Sequence, residues 1–235
     1  MKFLIVNQNE PTIELYHYGI KGQKWGIRRF QNPDGTLTAA GRKRYLNSDG
    51  SLTKKGEKAK KNPTVSKQLE VESSKIKIYR KRINELEKDG YKTVWEQDDN
   101  TTMSKNVTSK DGRKIALHVN IYKDENNGNP TMEKVRKMEK DTLNTNNLKR
   151  MKKAAEHELK NVLYEENDGS LTYGDYIYGK DLFLSNPKNF YLNYGKYIQT
   201  EVPLIFVHDG HKTADHAILL TYTDLTDTPE YVEFA

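Results

Sequence analysis

The sequence predicts an α+β fold: an antiparallel sheet with helices, preceded by a basic and mostly non-regular N-terminal segment. The clearest observation is the segment "KIALHVNIY" at 114–122, in which apolar and polar residues alternate strictly. This period of two is typical of a strand with one buried face. Helical periodicity before and after that strand, together with an uneven distribution of charge along the chain, completes the prediction.

Helices are predicted on both sides of the strand. Ile76, Tyr79, Ile83 and Leu86 recur at helical spacing, and Gly90 follows as a stop signal. A second helical region is predicted over 131–164, with a break at "NTNN".

Strand patterns fill most of the remaining chain. "YKTVWEQ" and "MSKNVTS" precede 114–122 and predict an antiparallel meander. In the tyrosine-rich last third, "VPLIFV" and "AILLTY" flank "HDGHKTADH" and predict a long hairpin through the core. We interpret the tyrosines over 173–197 as lining a half-buried sheet. Base stacking by those tyrosines is the less favoured alternative.

The charge divides the chain into two parts. Residues 1–66 hold 13 Lys/Arg against 5 Asp/Glu, a net charge of +8, whereas the remaining 169 residues hold 26 against 28, a net charge of −2. The Lys-rich stretch 57–68 contains Pro63 and is predicted to be a linker. We therefore predict a basic segment over 1–65 and an α+β domain over 66–235.

An internal repeat with a spacing of 15 occupies the basic segment. "NPDGTLTAAG" at 32 and "NSDGSLTKKG" at 47 share a pattern in which Gly35 and Gly50 form tight turns. Leu37 and Leu52 are predicted to be apolar anchors. The threonines that follow, Thr38 and Thr53, are predicted to cap short helices. A weaker copy, "NDGSLTYG", recurs at 167–174.

Composition limits the classes of protein. The chain has no cysteine, which excludes disulfides and thiolate zinc sites. The apolar opening "MKFLIV" is too short for a signal peptide, and no 18-residue apolar run occurs, so we expect a soluble protein without a membrane segment.

The candidate metal or catalytic residues are His208, His211, Asp215 and His216, since imidazole and carboxylate groups suit zinc-like ions. Their spacing matches no established signature, and a hairpin tip with exposed histidines is the favoured interpretation. His118 and His157 are interpreted as ordinary surface residues. No P-loop or nucleophile-elbow pattern is present, so the sequence favours a protein without an enzymatic activity or a cofactor.

The densest segment is "LYHYGIKGQKWGIRRF" at 15–30, which combines glycines, cations and large apolar side chains. Its glycines lack the strand-then-helix context of a dinucleotide site. Its cations suit phosphate, and its Trp25 suits stacking, so nucleic-acid binding is one alternative. A solvated tail has no use for Trp25 and Phe30, so we predict a short docking segment anchored by Trp25.

The segment 15–45 resembles one common in proteins of tailed phages and prophages of gut bacteria, where it occurs beside unrelated domains in structural, minor head or head-morphogenesis proteins. The positions that match this pattern are His17, Gly19, Lys21, Gly22, Lys24, Trp25, Gly26, Arg28, Arg29, Phe30, Asn32, Asp34, Gly35, Leu37, Thr38, Gly41 and Tyr45.

The resemblance implies a recruitment tag on a head-associated minor structural or capsid cargo protein. The implied partners are the portal or capsid interior, or packaged DNA, and the implied location is the virion or the host bacterial cytoplasm. An effector or inhibitor delivered to a host target is the alternative, and it would use the histidine cluster if it were an enzyme.

Overall fold

A computed structural model describes residues 30–32, 34–97, 99–123, 128–174, 176–179, 182–208 and 211–235. The helices are α1 (Ala39–Tyr45), α2 (Lys54–Ala59), α3 (Pro63–Lys88), α4 (Met132–Thr142) and α5 (Thr145–Val162). The strands are β1 (Lys92–Glu96), β2 (Asn100–Thr108), β3 (Lys114–Tyr122), β4 (Tyr164–Glu165), β5 (Leu171–Tyr173), β6 (Tyr176–Gly179), β7 (Phe183–Leu184), β8 (Asn189–Asn193), β9 (Tyr197–His208), β10 (His211–Tyr222) and β11 (Tyr231–Phe234).

The chain divides into two compact units, Met1–Ser73 and Ser74–Ala235. Helix α3 crosses the predicted boundary at residue 65, and the predicted linker 57–68 is largely helical. The proline that predicts a linker instead marks the start of helix α3. The side chain of Asn62 accepts hydrogen bonds from the backbone of Thr64 and Val65, and Pro63 occupies the first helical position.

The second unit contains an eight-stranded sheet in the order β1-β2-β3-β8-β9-β10-β11, with β7 paired to β9. The meander β1-β2-β3 and the long β9–β10 hairpin are confirmed. The α+β class is also confirmed, but the sheet is mixed rather than antiparallel throughout, because β3 and β8 run parallel. Between them the chain forms α4, α5 and a three-stranded sheet, β4-β5-β6.

One face of the large sheet forms the core. The predicted stripe of β3 (Ile115, Leu117, Val119 and Ile121) is at most 1% exposed. Three positions of the predicted α3 stripe (Tyr79, Ile83 and Leu86) belong to the same apolar cluster. Helices α4 and α5 add apolar residues from one face each: Val135, Met138, Leu148, Met151 and Ala155. The helices therefore cover one face of the sheet.

The break between α4 and α5 falls at Leu143 and Asn144, just before most of the predicted "NTNN". Asn144 is itself a cap, since its side chain accepts a hydrogen bond from the backbone nitrogen of Asn146 at 2.9 Å. Asn is favoured at this position because its side chain satisfies a free helical N–H group.

Candidate docking site

Three of the predicted partner-binding residues lie in the part of the chain that the structure describes: Phe30, Leu37 and Leu52. The others lie outside the described residues, namely His17, Gly19, Lys21, Gly22, Lys24, Trp25, Gly26, Arg28 and Arg29. The geometry of the site is therefore the geometry of the tandem repeat, residues 30–60.

The Asp-Gly turn of the repeat forms twice with the same hydrogen bonds. Asp34 Oδ1 accepts from the backbone nitrogen of Thr36 at 2.9 Å and from its hydroxyl at 2.7 Å. Asp49 accepts from Ser51 at the same two distances. These bonds lower the pKa of Asp34, the side-chain bond contributing most. Each turn also needs a glycine, since φ is +87° at Gly35 and +82° at Gly50.

Each turn leads into a capped helix of fewer than two full turns. Thr38 accepts from the backbone nitrogen of Gly41 at 3.0 Å, and Thr53 accepts from that of Gly56 at 3.1 Å. Both predicted N-caps are therefore confirmed. A helix this short is unstable alone, so other contacts have to hold it in place.

The second glycine of each repeat provides that contact. A Cβ atom at Gly41 would lie 2.1 Å from the carbonyl oxygen of Phe30, and one at Gly56 would lie 2.2 Å from that of Tyr45. The same two carbonyls accept hydrogen bonds from the backbone nitrogens of Thr38 and Thr53. Each helix is thus pressed against the backbone of the residue that opens its own repeat, Phe30 or Tyr45, which only glycine permits.

This packing extends the repeat backward, to Phe30 and Tyr45. Their rings meet edge to face with centroids 6.0 Å apart, and the Arg44 guanidinium lies 4.5 Å from the centroid of Phe30. Sequence reasoning missed Arg44. The signal was available, because "RRF" and "KRY" stand at the same spacing of 15 as the turns.

Leucines and the start of α3 support the two repeats. Leu37, Leu46 and Leu69 are at most 5% exposed, whereas Leu52 is half-buried. The Ser73 hydroxyl donates to the carbonyl oxygen of Gly50 at 2.6 Å, so α3 runs beside the second turn. The predicted anchoring role of leucine thus holds fully for Leu37 and only in part for Leu52.

Cations dominate the exposed surface of this unit. Residues 30–62 hold 8 Lys/Arg against 3 Asp/Glu. All eight cationic residues are exposed: Arg42, Lys43, Arg44, Lys54, Lys55, Lys58, Lys60 and Lys61. Two of the three acids, Asp34 and Asp49, accept hydrogen bonds within the turns. The unit therefore presents a positive surface on a defined backbone.

The weaker copy at 167–174 forms the same turn. Asp168 accepts from the backbone nitrogen and the hydroxyl of Ser170, and φ is +77° at Gly169. The chain then enters strand β5 rather than a helix. The reason is local: this copy has no glycine three residues after the threonine, and Tyr173 favours a strand.

The predicted metal or catalytic cluster is only partly described. His208 and His211 pair across the end of the β9–β10 hairpin, and the side chains of both, like that of Asp215, lie outside the described residues. The His216 ring is 3.3 Å from the Tyr178 hydroxyl and stacks on Phe234. The described side chains contain no group of three potential metal ligands.

His157 is exposed, as predicted. His118 lies on the predicted face of β3 but is half-buried, because it stacks on Tyr191 with ring centroids 4.5 Å apart. Burial lowers the pKa of His118, while a hydrogen bond to Asn189 opposes that shift.

No described helix is long and apolar enough to span a bilayer. The chain matches no protein-family model, no curated protein and no solved structure.

Proposed function

We propose that the chain is a head-associated minor protein or capsid cargo protein of a tailed phage, recruited to the particle through residues 15–60. The observation that supports this proposal is the repeated geometry of residues 30–60. Two short units with the same turn, cap and glycine contact hold eight exposed cationic residues on a defined backbone. A rigid basic surface next to a Trp-anchored segment suits docking better than it suits catalysis.

The partner is an acidic protein surface, at the portal or capsid interior. The cations are spread over two small helices and their ends, and Arg44 is occupied by the Phe30 ring. Complementary charge would then accelerate association, while the apolar residues of 15–30 would supply most of the affinity. Packaged DNA is the competing partner, and the experiment below separates it from a protein partner.

The test is mass spectrometry of gradient-purified particles from cells that express tagged variants at matched levels. The wild-type chain is expected in particles, and Trp25→Ala is expected to be lost from them. Gly41→Ala is also expected to be lost, because its Cβ would collide with the Phe30 carbonyl. Ala40→Ser is the matched control, since Ala40 is exposed on the same helix.

Normal packaging of Trp25→Ala, or absence of the wild-type chain from particles, contradicts the proposal. Incorporation into particles that lack DNA identifies a protein partner, whereas loss from empty particles alone identifies packaged DNA.

A further inference from the structure

The second unit carries a feature that the docking proposal does not use: the face of the large sheet opposite the helices. The residues on this face alternate with the buried stripe of β3 and with its counterparts on neighbouring strands. Helices α4 and α5 do not contribute to it, because their apolar residues belong to the core cluster on the other face. The face is polar, and most of its side chains are half-buried.

A row of hydrogen-bonded side chains crosses five strands of this face. The Thr102 hydroxyl donates to Asn120 Oδ1 at 2.6 Å, and Asn120 Nδ2 donates to Asn193 Oδ1 at 2.5 Å. Asn193 Nδ2 donates to Gln199 Oε1 at 2.6 Å, and Gln199 Nε2 donates to the Thr221 hydroxyl at 3.3 Å. We call this row the amide ladder. Every bond in it points the same way, so the bonds polarise one another.

The amide ladder retains unused hydrogen-bonding capacity. A side-chain amide has two N–H donors and a carbonyl with two lone pairs. Within the ladder, Asn120, Asn193 and Gln199 each use one donor and one lone pair on their neighbours. One donor and one acceptor per amide are left for a ligand, which is the arrangement that binds a pair of adjacent hydroxyl groups.

A β-bulge places a tryptophan at the end of the ladder. The register of β1 against β2 shifts between Thr93 and Trp95, so Trp95 pairs with Thr102, the first residue of the ladder. Paired residues of neighbouring strands share a face of the sheet, so the bulge directs Trp95 to the polar face. The Trp95 side chain is 44% exposed, although burial of a ring this large is favourable.

Charge selects the class of ligand. Lys92 and Lys114 pair with Ser104 and Thr108 of β2, away from the centre of the ladder. Near the centre, burial raises the pKa of Tyr191, and the Glu201 carboxylate raises it further. A carboxylate here repels phosphate, and a nucleic acid requires a continuous series of cations along its backbone. The ligand is therefore neutral and rich in hydroxyl groups.

We infer that this face binds an extended neutral glycan that lies across the strands, with one sugar ring stacked on Trp95 and the hydroxyls of the following sugars bonded to the amide ladder. Neighbouring strands lie about 4.8 Å apart, close to the length of one pyranose residue in an extended chain. Successive sugars can therefore meet successive amides. The side chains of the ladder are already held by one another, so binding costs little rotamer entropy.

The experiment is calorimetric titration of the full chain with neutral hexasaccharides: cellohexaose, chitohexaose, xylohexaose and mannohexaose. Binding of at least one with a Kd below about 1 mM is expected. Trp95→Ala is expected to weaken that binding at least tenfold, and Trp95→Tyr to recover part of it. Val94→Ala is the matched control, because Val94 is 58% exposed on the same strand but lies outside the register pairs.

Absence of binding to all four hexasaccharides overturns the inference, as does unchanged binding by Trp95→Ala. Binding of a 20-nucleotide oligo(dT) that is lost in Trp95→Ala would instead make the face a nucleic-acid platform. A concentration-dependent dimer that Trp95→Ala disrupts would make it an interface between copies of the chain.

Discussion

The Tyr91 hydroxyl is buried and has no hydrogen-bond partner among the described residues. Burial accordingly raises the pKa of Tyr91. A buried hydroxyl without a partner costs about 1–3 kcal/mol, so Tyr91→Phe is expected to stabilise the second unit by about 1 kcal/mol. The measurement is the urea midpoint of unfolding at constant m-value.

Tyr79 is the matched comparison. It is as deeply buried as Tyr91, but its hydroxyl bonds to that of Thr101. Tyr79→Phe leaves the Thr101 hydroxyl unpaired, so a loss of about 1 kcal/mol is expected. If both substitutions shift the midpoint in the same direction, hydrogen bonding does not distinguish the two sites.

His118 is expected to make stability depend on pH. Burial against Tyr191 lowers its pKa below the ordinary value of 6.5, so the unfolded chain binds a proton more readily than the folded one. The free energy of unfolding therefore rises with pH between the lowered pKa of folded His118 and its ordinary value of 6.5. It decreases as the pH falls through this range and is fully retained at higher pH.

His118→Phe retains a ring for stacking and cannot be protonated. We expect this variant to lose part of the decline in thermal midpoint between pH 7.5 and 5. His157→Phe, at an exposed site on α5, is the control. A decline that is unchanged in His118→Phe would assign the pH dependence to other groups.

At the level of elements, the repeat predicts a change in stability opposite in sign to the one that helix propensity alone predicts. Ala is favoured over Gly in a helix by about 1 kcal/mol. Gly41→Ala is nevertheless expected to destabilise the first unit by at least about 2 kcal/mol, since the added methyl would overlap a backbone atom that cannot rotate away. Hydrogen exchange of the α1 amides is the measurement, with Ala40→Ser, at an exposed site on the same helix, as the control.

Local rules explain why the sequence predicted these elements. An Asp-Gly turn, a threonine cap and a period-two stripe each depend on residues close together in the chain, and all three are present as predicted. Strand neighbours do not follow from such rules. Alternation specifies which face of β3 is buried but not that β8 lies beside it in parallel, because that pairing depends on where the intervening helices pack.

The amide ladder escaped sequence reasoning for the same reason. Asn120, Asn193 and Gln199 each resemble an ordinary solvent-facing residue of a strand, and only the strand order brings them into one row. The bulge that redirects Trp95 is likewise a property of the pairing between β1 and β2. The glycine contact at Gly41 was missed because it depends on a backbone atom eleven residues earlier in the chain.

At the scale of the whole molecule, the uneven charge separates the two proposed sites by their dependence on salt. Residues 1–66 carry a net charge of +8 and the remainder carries −2. Docking through the basic segment depends in part on long-range attraction, which ions screen beyond about 8 Å at physiological ionic strength. Glycan binding through neutral amides and one indole ring has no such long-range electrostatic contribution.

Raising NaCl from 50 to 300 mM is therefore expected to weaken association with purified particles severalfold while changing hexasaccharide affinity by less than twofold. Both measurements use the same full chain, so a general effect of salt on folding would move them together. Each site also has a variant that is expected to leave the other affinity unchanged. Trp95→Ala should not affect particle binding, and Trp25→Ala should not affect glycan binding. A parallel loss of both activities with salt would mean that the two sites act as one electrostatic surface.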